Sequence, residues 1–437
     1  MSGLNSLRDK LLGGFYGKTI EKLCCCGASE SKIYSERIET ALNGFEATFG
    51  AKDSIRLFSA PGRTEIGGNH TDHQHGRVLA ASINRDIIAV AAPNGEAVIR
   101  VKSEGFPLDE VDLRDLSVRT EEYGYSAALL RGIAAGLSER GYTIGGFDAY
   151  TVSNVPKGSG LSSSAAFEVL LGCIMSRLYG NEGVTPLLLA QIGQYAENVY
   201  FGKPSGLMDQ AASAVGGVVA IDFASTENPL VESVPFDFSA SGFALCTLDS
   251  GADHANLTES YAEIPREMRA VAAAFGKSYL REVDENEFAQ ALPSLRSSLG
   301  DRACLRAMHF FTENNRVPQQ ATALQEGRFD DFLALVNASG RSSALYLQNV
   351  SVAGSIQAQE LMMTLALCER YLGAHGASRV HGGGFAGTAL AFVPKERLQD
   401  FRSYIEAVLG AGACHELSIR PVGVTEISPE SEAAIHG

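Results

Sequence analysis

The densest chemistry lies in one run, Pro156-Lys157-Gly158-Ser159-Gly160-Leu161-Ser162-Ser163-Ser164-Ala165-Ala166. Two glycines and four serines sit between a predicted strand and a predicted apolar helix. Glycine lets a ligand approach the backbone closely. Successive N–H groups at a helix start attract anions, and serine hydroxyls add donors or a hard metal ligand. The run matches neither GxxxxGK[ST] nor GxGxxG. Taken alone, it fits a serine-rich N-cap loop as well as a phosphate cradle. Three charged residues stand out elsewhere. Asp209 precedes an apolar helical run, where an N-cap is the ordinary role. Arg63 would ordinarily form a surface ion pair, and Glu197 would be a solvated helix charge. Residues 70–75 read HTDHQH, whose histidine spacing invites a metal reading.

The order of the motifs narrows these alternatives. PKGSGLSSSAA resembles the phosphate-binding motif of the GHMP kinases, the family of galactokinase, homoserine kinase, mevalonate kinase and phosphomevalonate kinase. Residues 61–76, PGRTEIGGNHTDHQHG, resemble the signature of the galactokinase branch, usually GRxNxIGEHxDYxxG. Residues 382–388, GGGFAGT, resemble the third family motif, usually GGGFGG. SGLMDQ at 205–210 is similar to GIMDQ, and HFFTENNRV at 309–317 to H-x-x-x-E-x-x-R-V. The resemblance covers about residues 36–425.

The resemblance implies a sugar 1-kinase using Mg-ATP, with galactose as acceptor. Asp209 would receive the hydrogen bond of the anomeric hydroxyl, and Arg63 would hold it ionised and neutralise charge on the moving phosphoryl. Lys157, Gly158, Ser159, Gly160, Leu161, Ser162, Ser163, Ser164 and Ala165 would wrap the ATP phosphates. Ser164 and Glu197, the latter twelve residues before Asp209, would bind Mg²⁺, which prefers hard oxygen ligands. His70 and Asp72 would contact sugar hydroxyls, with Asn69, Gly206 and Tyr261 lining the same pocket. Gly383, Gly384 and Gly387 would pack the third loop against the phosphate loop. A magnesium kinase has no task for a histidine-rich metal site, so that reading of HTDHQH is rejected.

The sequence also departs from the family. Asn69 replaces the glutamate that faces the sugar's C6 hydroxyl, and Glu65 replaces the asparagine four residues before it. His73 replaces a tyrosine, Ala386 a glycine, and SGRSSAL at 339–345 stands for SHxSL. Losing the charge at 69 lowers repulsion toward a C6 carboxylate, so galacturonate enters as an alternative acceptor. A non-catalytic sugar and ATP sensor is a third reading. It expects a degraded phosphate loop, whereas Ser163, Ser164, Ala165, Ala166, Asp209 and Arg63 are all present.

Several elements must position these residues. Apolar spacing predicts an amphipathic helix over 4–23, with Leu4, Leu7, Leu11 and Phe15 on one face. A polar break follows at Ser29–Lys32. A second helix then carries Tyr34, Ile38, Ala41, Phe45 and Phe49 in phase and closes at Gly50. Residues 55–59 and 87–92 read as strands, with a long polar loop between them. Residues 96–103 and the stretch before Pro156 read as strands, and 125–139, 165–179 and 186–200 as helices. Strands are expected at 218–223 and 244–249, helices from 258 to 372, and a last strand pair around 415–427. The expected architecture is α+β, in the two-lobed GHMP kinase fold. Its first lobe resembles ribosomal protein S5 domain 2, and its second is an α+β unit. The expected division is a helical extension over 1–33, a first lobe over 34–230 and a second over 231–437.

Composition bounds the rest. At about 150 residues per domain, 437 residues make two or three domains. Apolar residues at 45% and charged residues at 20% describe a globular chain rather than a disordered or coiled-coil one. The charge sum, 36 − 51 = −15, repels nucleic acid and anionic membranes. No run of 18 apolar residues predicts a membrane span, and the start lacks the pattern of a secretory signal. Eight cysteines without CxxC spacing suit a reducing cytoplasm. Consecutive Cys24, Cys25 and Cys26 read most simply as a helix end. The expected partners are therefore a small sugar and ATP. The sequence does not set the oligomeric state, and a monomer is compatible with it.

Overall fold

The structure is a computed structural model that describes residues 3–25, 28–156, 160–203, 205–252, 257–385 and 387–428. Lys157, Gly158 and Ser159 of the expected ATP loop, with Cys26 and Ala386, lie outside the described residues. The expected helix over 4–23 is two helices, α1 (Gly3–Leu12) and α2 (Gly17–Cys24). Gly13 and Gly14 interrupt it, with Gly14 in the left-handed region at φ 75°. Leu4 and Leu7 are buried, whereas Phe15 is exposed at the turn. The polar run Ser29–Lys32 is no break; it opens α3 (Ala28–Phe49). Polar residues are compatible with a first helical turn, where backbone N–H groups lack intrahelical acceptors. Tyr34, Ile38, Ala41 and Phe45 are buried, and Phe49 is half-buried.

The long loop expected between residues 59 and 87 is mostly sheet. β1 (Arg56–Gly67) and β2 (Arg77–Pro93) form one antiparallel hairpin. Only residues 68–76 leave it, around a 3₁₀ turn at Asp72–Gln74. Polar residues in β1 obscured the strand because their partners come from elsewhere in the chain. The register shifts between Pro61 and Arg63 and between Glu65 and Gly67. Such irregularities bend a strand and re-aim its side chains, here at Arg63 and Glu65.

The first lobe continues through β3 (Val98–Ser103), β4 (Leu108–Asp112), α4 (Ser126–Glu139), β5 (Phe147–Ser153) and α5 (Ser163–Leu178). It ends with α6 (Pro186–Tyr195), a π turn at Ala196–Tyr200, α7 (Met208–Val215), β6 (Val218–Asp222) and β7 (Leu230–Val234). The second region holds β8 (Phe243–Asp249), α8 (Thr258–Ala274), α9 (Glu285–Leu299), α10 (Asp301–Gln325) and α11 (Phe329–Ser342). A second π turn, Ser343–Leu347, precedes α12 (Glu360–Leu372), β9 (Ala377–His381), β10 (Thr388–Pro394), α13 (Leu398–Leu409), β11 (Cys414–Leu417) and β12 (Thr425–Ile427).

Two sheets result. The first runs β12-β1-β2-β5-β3-β4, with β6 joining β2 to β7. The β3–β5 pair is parallel and the other pairs of this sheet are antiparallel. The second runs β11-β8-β10-β9. β7 spans the expected boundary at 230 and stays with the first sheet. The expected terminal strand pair is not a pair: β11 joins β8, whereas β12 returns to β1.

A buried polar hub explains that return. Asp86 accepts from Tyr34 Oη at 2.6 Å, Ser59 Oγ at 2.5 Å, Arg37 Nη1 at 2.7 Å and Arg420 Nη1 at 3.0 Å. Burial alone would raise the Asp86 carboxyl, but Arg37 and Arg420 outweigh it and hold it below the usual range. A buried charge survives only with such partners. The hub draws the tail back to the first sheet. No helix among the described residues is long and apolar enough to cross a membrane.

Candidate active site

The centre of the site is an ion pair between the first strand and the start of α7. Arg63 Nε and Nη2 each donate to one carboxylate oxygen of Asp209 at 2.7 Å. This fork geometry fixes both planar groups. Arg63 Nη1 also donates to Gly160 O, and Ser162 Oγ donates to Asp209 Oδ2. Arg63 N donates to Leu161 O at 3.1 Å. The segment from Gly160 to Ser162 is thus bonded directly to the ion pair. Burial pushes the Asp209 carboxyl up, but Arg63, then Ser162 and Lys203, pull it below the ordinary range. Its side chain keeps 29% exposure, so one ionised carboxylate faces the open side of the site.

The loop itself is a strained entry to a helix. Ser162 sits in the left-handed region at φ 56°, immediately before α5. Ser163 and Ser164 open that helix and are half-buried. Ala165 is buried in its first turn. Leu161 turns its side chain into the core, so it anchors the loop rather than facing outward. His381 ties this region to the second sheet. Its Nε2 accepts from Glu65 N at 3.3 Å and lies 3.1 Å from Thr64 Oγ1, while Nδ1 lies 3.0 Å from Thr388 Oγ1.

Beside the ion pair, side chains from distant segments meet in one wall. A Cβ on Gly206 would stand 2.4 Å from Asp72 Oδ2, so a side chain there would displace the Asp72 carboxylate. Asp72 Oδ1 accepts from His73 N at 2.9 Å. His70 Nε2 lies 3.0 Å from Gly383 O and therefore carries the proton; its buried Nδ1 has no partner among the described residues. Burial, then His73, lowers His70 to about 4, so the ring is neutral at pH 7. Tyr261 donates to Gly384 O at 2.9 Å. A Cβ on Gly383 would meet its ring at 2.4 Å. Outside this wall, His75 stacks on Tyr279 with ring centres 3.6 Å apart.

Asn69 is the main correction. It is fully buried. Its amide nitrogen donates to Glu65 Oε1 at 3.0 Å and to Gly382 O at 2.7 Å. Its oxygen accepts from Asn349 Nδ2 at 2.8 Å and Ser343 Oγ at 3.2 Å. Two donors and two lone pairs are all an amide has, so none is left for a sugar. Asn69 is a junction between the two sheets' loops. Glu65, its partner, is paired with buried Arg379 at 2.7 Å.

The run at 309–317 holds the same loop from behind. His309 Nε2 lies 2.9 Å from Asn69 O, and Glu313 accepts from Gly68 N at 3.1 Å. Arg316 in turn donates to Glu313.

Glu197 sits on the π turn after α6, nearly buried. Its Oε1 accepts from Lys203 Nζ at 2.7 Å; its Oε2 accepts from Ser205 Oγ at 2.6 Å and Gln210 Nε2 at 2.9 Å. Gln210 Nε2 also donates to Glu168 Oε2 at 2.9 Å. Glu168 lies one turn beyond Ser164 on α5, so the two share a helix face. A hydroxyl and a carboxylate, linked through this face, suit a hard cation that completes its shell with water and phosphate.

Sequence reasoning missed Glu168 and Gln210. The signal was present, since Glu168 is the one charge inside the apolar run AAFEVLLGCIM. Burial, then the Glu197 charge, pushes its carboxyl well above the ordinary range.

Comparison with known proteins agrees with this geometry. Residues 43–93 match the galactokinase galactose-binding signature, and residues 127–217 the N-terminal domain of GHMP kinases. The chain is 34% identical over 378 residues to galactokinase of Enterococcus faecalis, covering 85% of this chain and 92% of that protein. It is 32% identical over 351 residues to galactokinase of Streptomyces coelicolor, covering 80% and 87%. The crystal structure of Lactococcus lactis galactokinase complexed with galactose superposes with a TM-score of 0.75 at 27% identity, covering 88% of this chain and 98% of that one. A mevalonate kinase shares the fold alone, with a TM-score of 0.59 at 15% identity over 83% of this chain and 98% of the other. With the three motifs, the ion pair and these relatives in agreement, the chain belongs to the galactokinase family of the GHMP kinases.

Proposed function

We propose that this enzyme transfers the γ-phosphoryl group of ATP to the C1 hydroxyl of α-D-galactose, giving galactose 1-phosphate and ADP. The observation that carries it is the Arg63–Asp209 pair, bonded to the phosphate loop at Gly160 and Ser162. Three residues earlier, Gly206 abuts Asp72. One carboxylate therefore stands between a hydroxyl-reading wall and a phosphate-binding loop.

Asp209 accepts a hydrogen bond from the C1 hydroxyl. A carboxylate held this acidic is a weak base at the outset. It takes the proton as the sugar oxygen bonds to phosphorus and becomes acidic. The bond from γ-phosphorus to the bridging oxygen breaks, and ADP keeps the electron pair. Arg63 keeps Asp209 ionised and offers positive charge to the transferring group. The loop from Lys157 to Ala165 wraps the phosphates. Ser164 and Glu197 would hold Mg²⁺, which when bound neutralises phosphate charge. Asp72 accepts from ring hydroxyls, and His70, Gly206 and Tyr261 close the wall.

Galacturonate loses its support here. Its case rested on Asn69 facing the sugar, and that amide is saturated within the protein. The test is ADP release with Mg-ATP against galactose, galacturonate, N-acetylgalactosamine, arabinose and glucose. Strong galactose-dependent release is expected. Release with galacturonate alone, or silence on every sugar while ATP and galactose still bind, would overturn the proposal.

A further inference from the structure

Lys203 is a cation to which the reaction above gives no task. It follows the π turn at Ala196–Tyr200, in the segment between α6 and α7. Its Nζ donates to Glu197 Oε1 at 2.7 Å, and its backbone N–H donates to Glu197 O at 3.1 Å. The two side chains differ sharply in access: Glu197 is 4% exposed and Lys203 is 58% exposed. Glu197 Oε2 is fixed by the neutral donors Ser205 and Gln210. Only Oε1 is held from the solvent side, by a flexible four-carbon stem. The same ammonium acts electrostatically on Asp209 and Glu168.

We propose that Lys203 is a placeholder cation that becomes a phosphate-binding residue: it occupies Glu197 Oε1 in the nucleotide-free enzyme and turns to the ATP phosphates when Mg²⁺ takes that oxygen. The inference rests on the reading of Glu197 as a metal ligand. The backbone bond to Glu197 keeps Lys203 beside the site while its stem swings. An ammonium released from a carboxylate finds equally strong acceptors in phosphate oxygens. Two consequences have opposite signs. Removing the ammonium frees Glu197 and strengthens metal binding without nucleotide. It also removes a phosphate contact and weakens ATP binding. A residue that merely supported the fold would weaken both.

The test compares the full chain with Lys203→Met and Lys203→Arg. Mn²⁺ binding without nucleotide is followed by electron paramagnetic resonance, and the KM for ATP is measured at saturating Mg²⁺. Lys203→Met is expected to bind Mn²⁺ about tenfold tighter and to raise the KM for ATP about tenfold, the scale of one charge-assisted hydrogen bond. Lys203→Arg, which keeps the charge, is expected to recover most of both. Unchanged or weaker Mn²⁺ binding in Lys203→Met overturns the placeholder. Tighter Mn²⁺ binding with an unchanged KM for ATP overturns the transfer to phosphate. Glu197→Gln separates this from the metal-site reading: it should lose Mn²⁺ binding with or without Lys203. If Glu197→Gln binds Mn²⁺ like the parent, the metal-site reading fails and the Lys203 inference falls with it.

Discussion

A carboxylate that takes a proton late must be ionised early, and Asp209 meets that need through two charged bonds from Arg63. Because Arg63 depresses Asp209, turnover should hold steady as pH falls from 7 to 5, so far as this base is concerned. Activity should fail only as pH drops through the depressed carboxyl range. Arg63→Lys offers at most one of the two bonds, so its acid limb should move to higher pH; a pH–kcat profile reads this, and an unmoved limb would count against the pairing. Asn69 gives a second prediction. In Asn69→Glu a buried carboxylate would face Glu65 and lose two donated bonds. Stability should fall by about 3 kcal/mol or more, the cost of an unsatisfied buried charge, while the preference for galactose stays. Thermal melting with the sugar panel reads both, and a switched sugar preference with unchanged melting would restore Asn69 to the pocket. Asp209 and Arg63 were legible in sequence because each sits inside a motif. The saturation of Asn69 was not, since its partners Asn349 and Ser343 lie 280 and 274 residues away.

The elements that hold these residues are long strands with polar faces. The hairpin β1–β2 escaped periodicity because Arg63, Thr64 and Glu65 are buried by partners from other segments. Apolar helices such as α5 were legible, because their residues are buried by the chain around them. Gly206 makes a prediction at this scale. Gly206→Ala would push a methyl against Asp72 Oδ2, so the KM for galactose should rise about tenfold, with kcat less affected, as for lost ground-state binding. An unchanged KM would mean the wall is not where the sugar binds. The N-terminal helices make another. Sequence gave them no motif, and the structure gives them packing: Leu4, Leu7, Tyr16, Ile20 and Leu23 share one core with Leu57, Ile88 and Val90. Each such side chain stabilises by about 1.5–3 kcal/mol. Removing residues 1–25 should lower the melting temperature and leave kcat intact in the folded fraction. A truncation with unchanged melting would contradict this packing.

At the scale of the molecule, the site is closed by contacts between the two sheets' segments. His70, His309 and His381 all sit at that junction, buried and neutral. Burial, the leading cause in each, lowers His70 to about 4 and His381 to about 3, and lowers His309 as well. The unfolded chain protonates such rings near pH 6.5. Between that value and the lowered ones the unfolded state binds more protons, so stability falls as pH falls. Glu65 and Glu168 act in the opposite sense, because their folded carboxyls are raised. The histidine part is read by difference: the destabilisation between pH 7 and pH 5 should be smaller in His381→Gln than in the parent. An unchanged pH dependence of melting in that variant would contradict the neutral junction. The two-lobed fold followed from family motifs. The return of β12 to the first sheet did not, because it depends on Arg420 meeting Asp86 across 334 residues.

The central claim is that Asp209 stands between the sugar and the phosphates as the group that takes the proton. Its most direct test is Asp209→Asn, with turnover and galactose binding measured on the same preparation. The account predicts at least about a hundredfold loss of kcat, the scale of a positioned proton acceptor, with galactose binding by calorimetry largely kept. Turnover near the parent's would remove Asp209 from the mechanism, whatever the sugar.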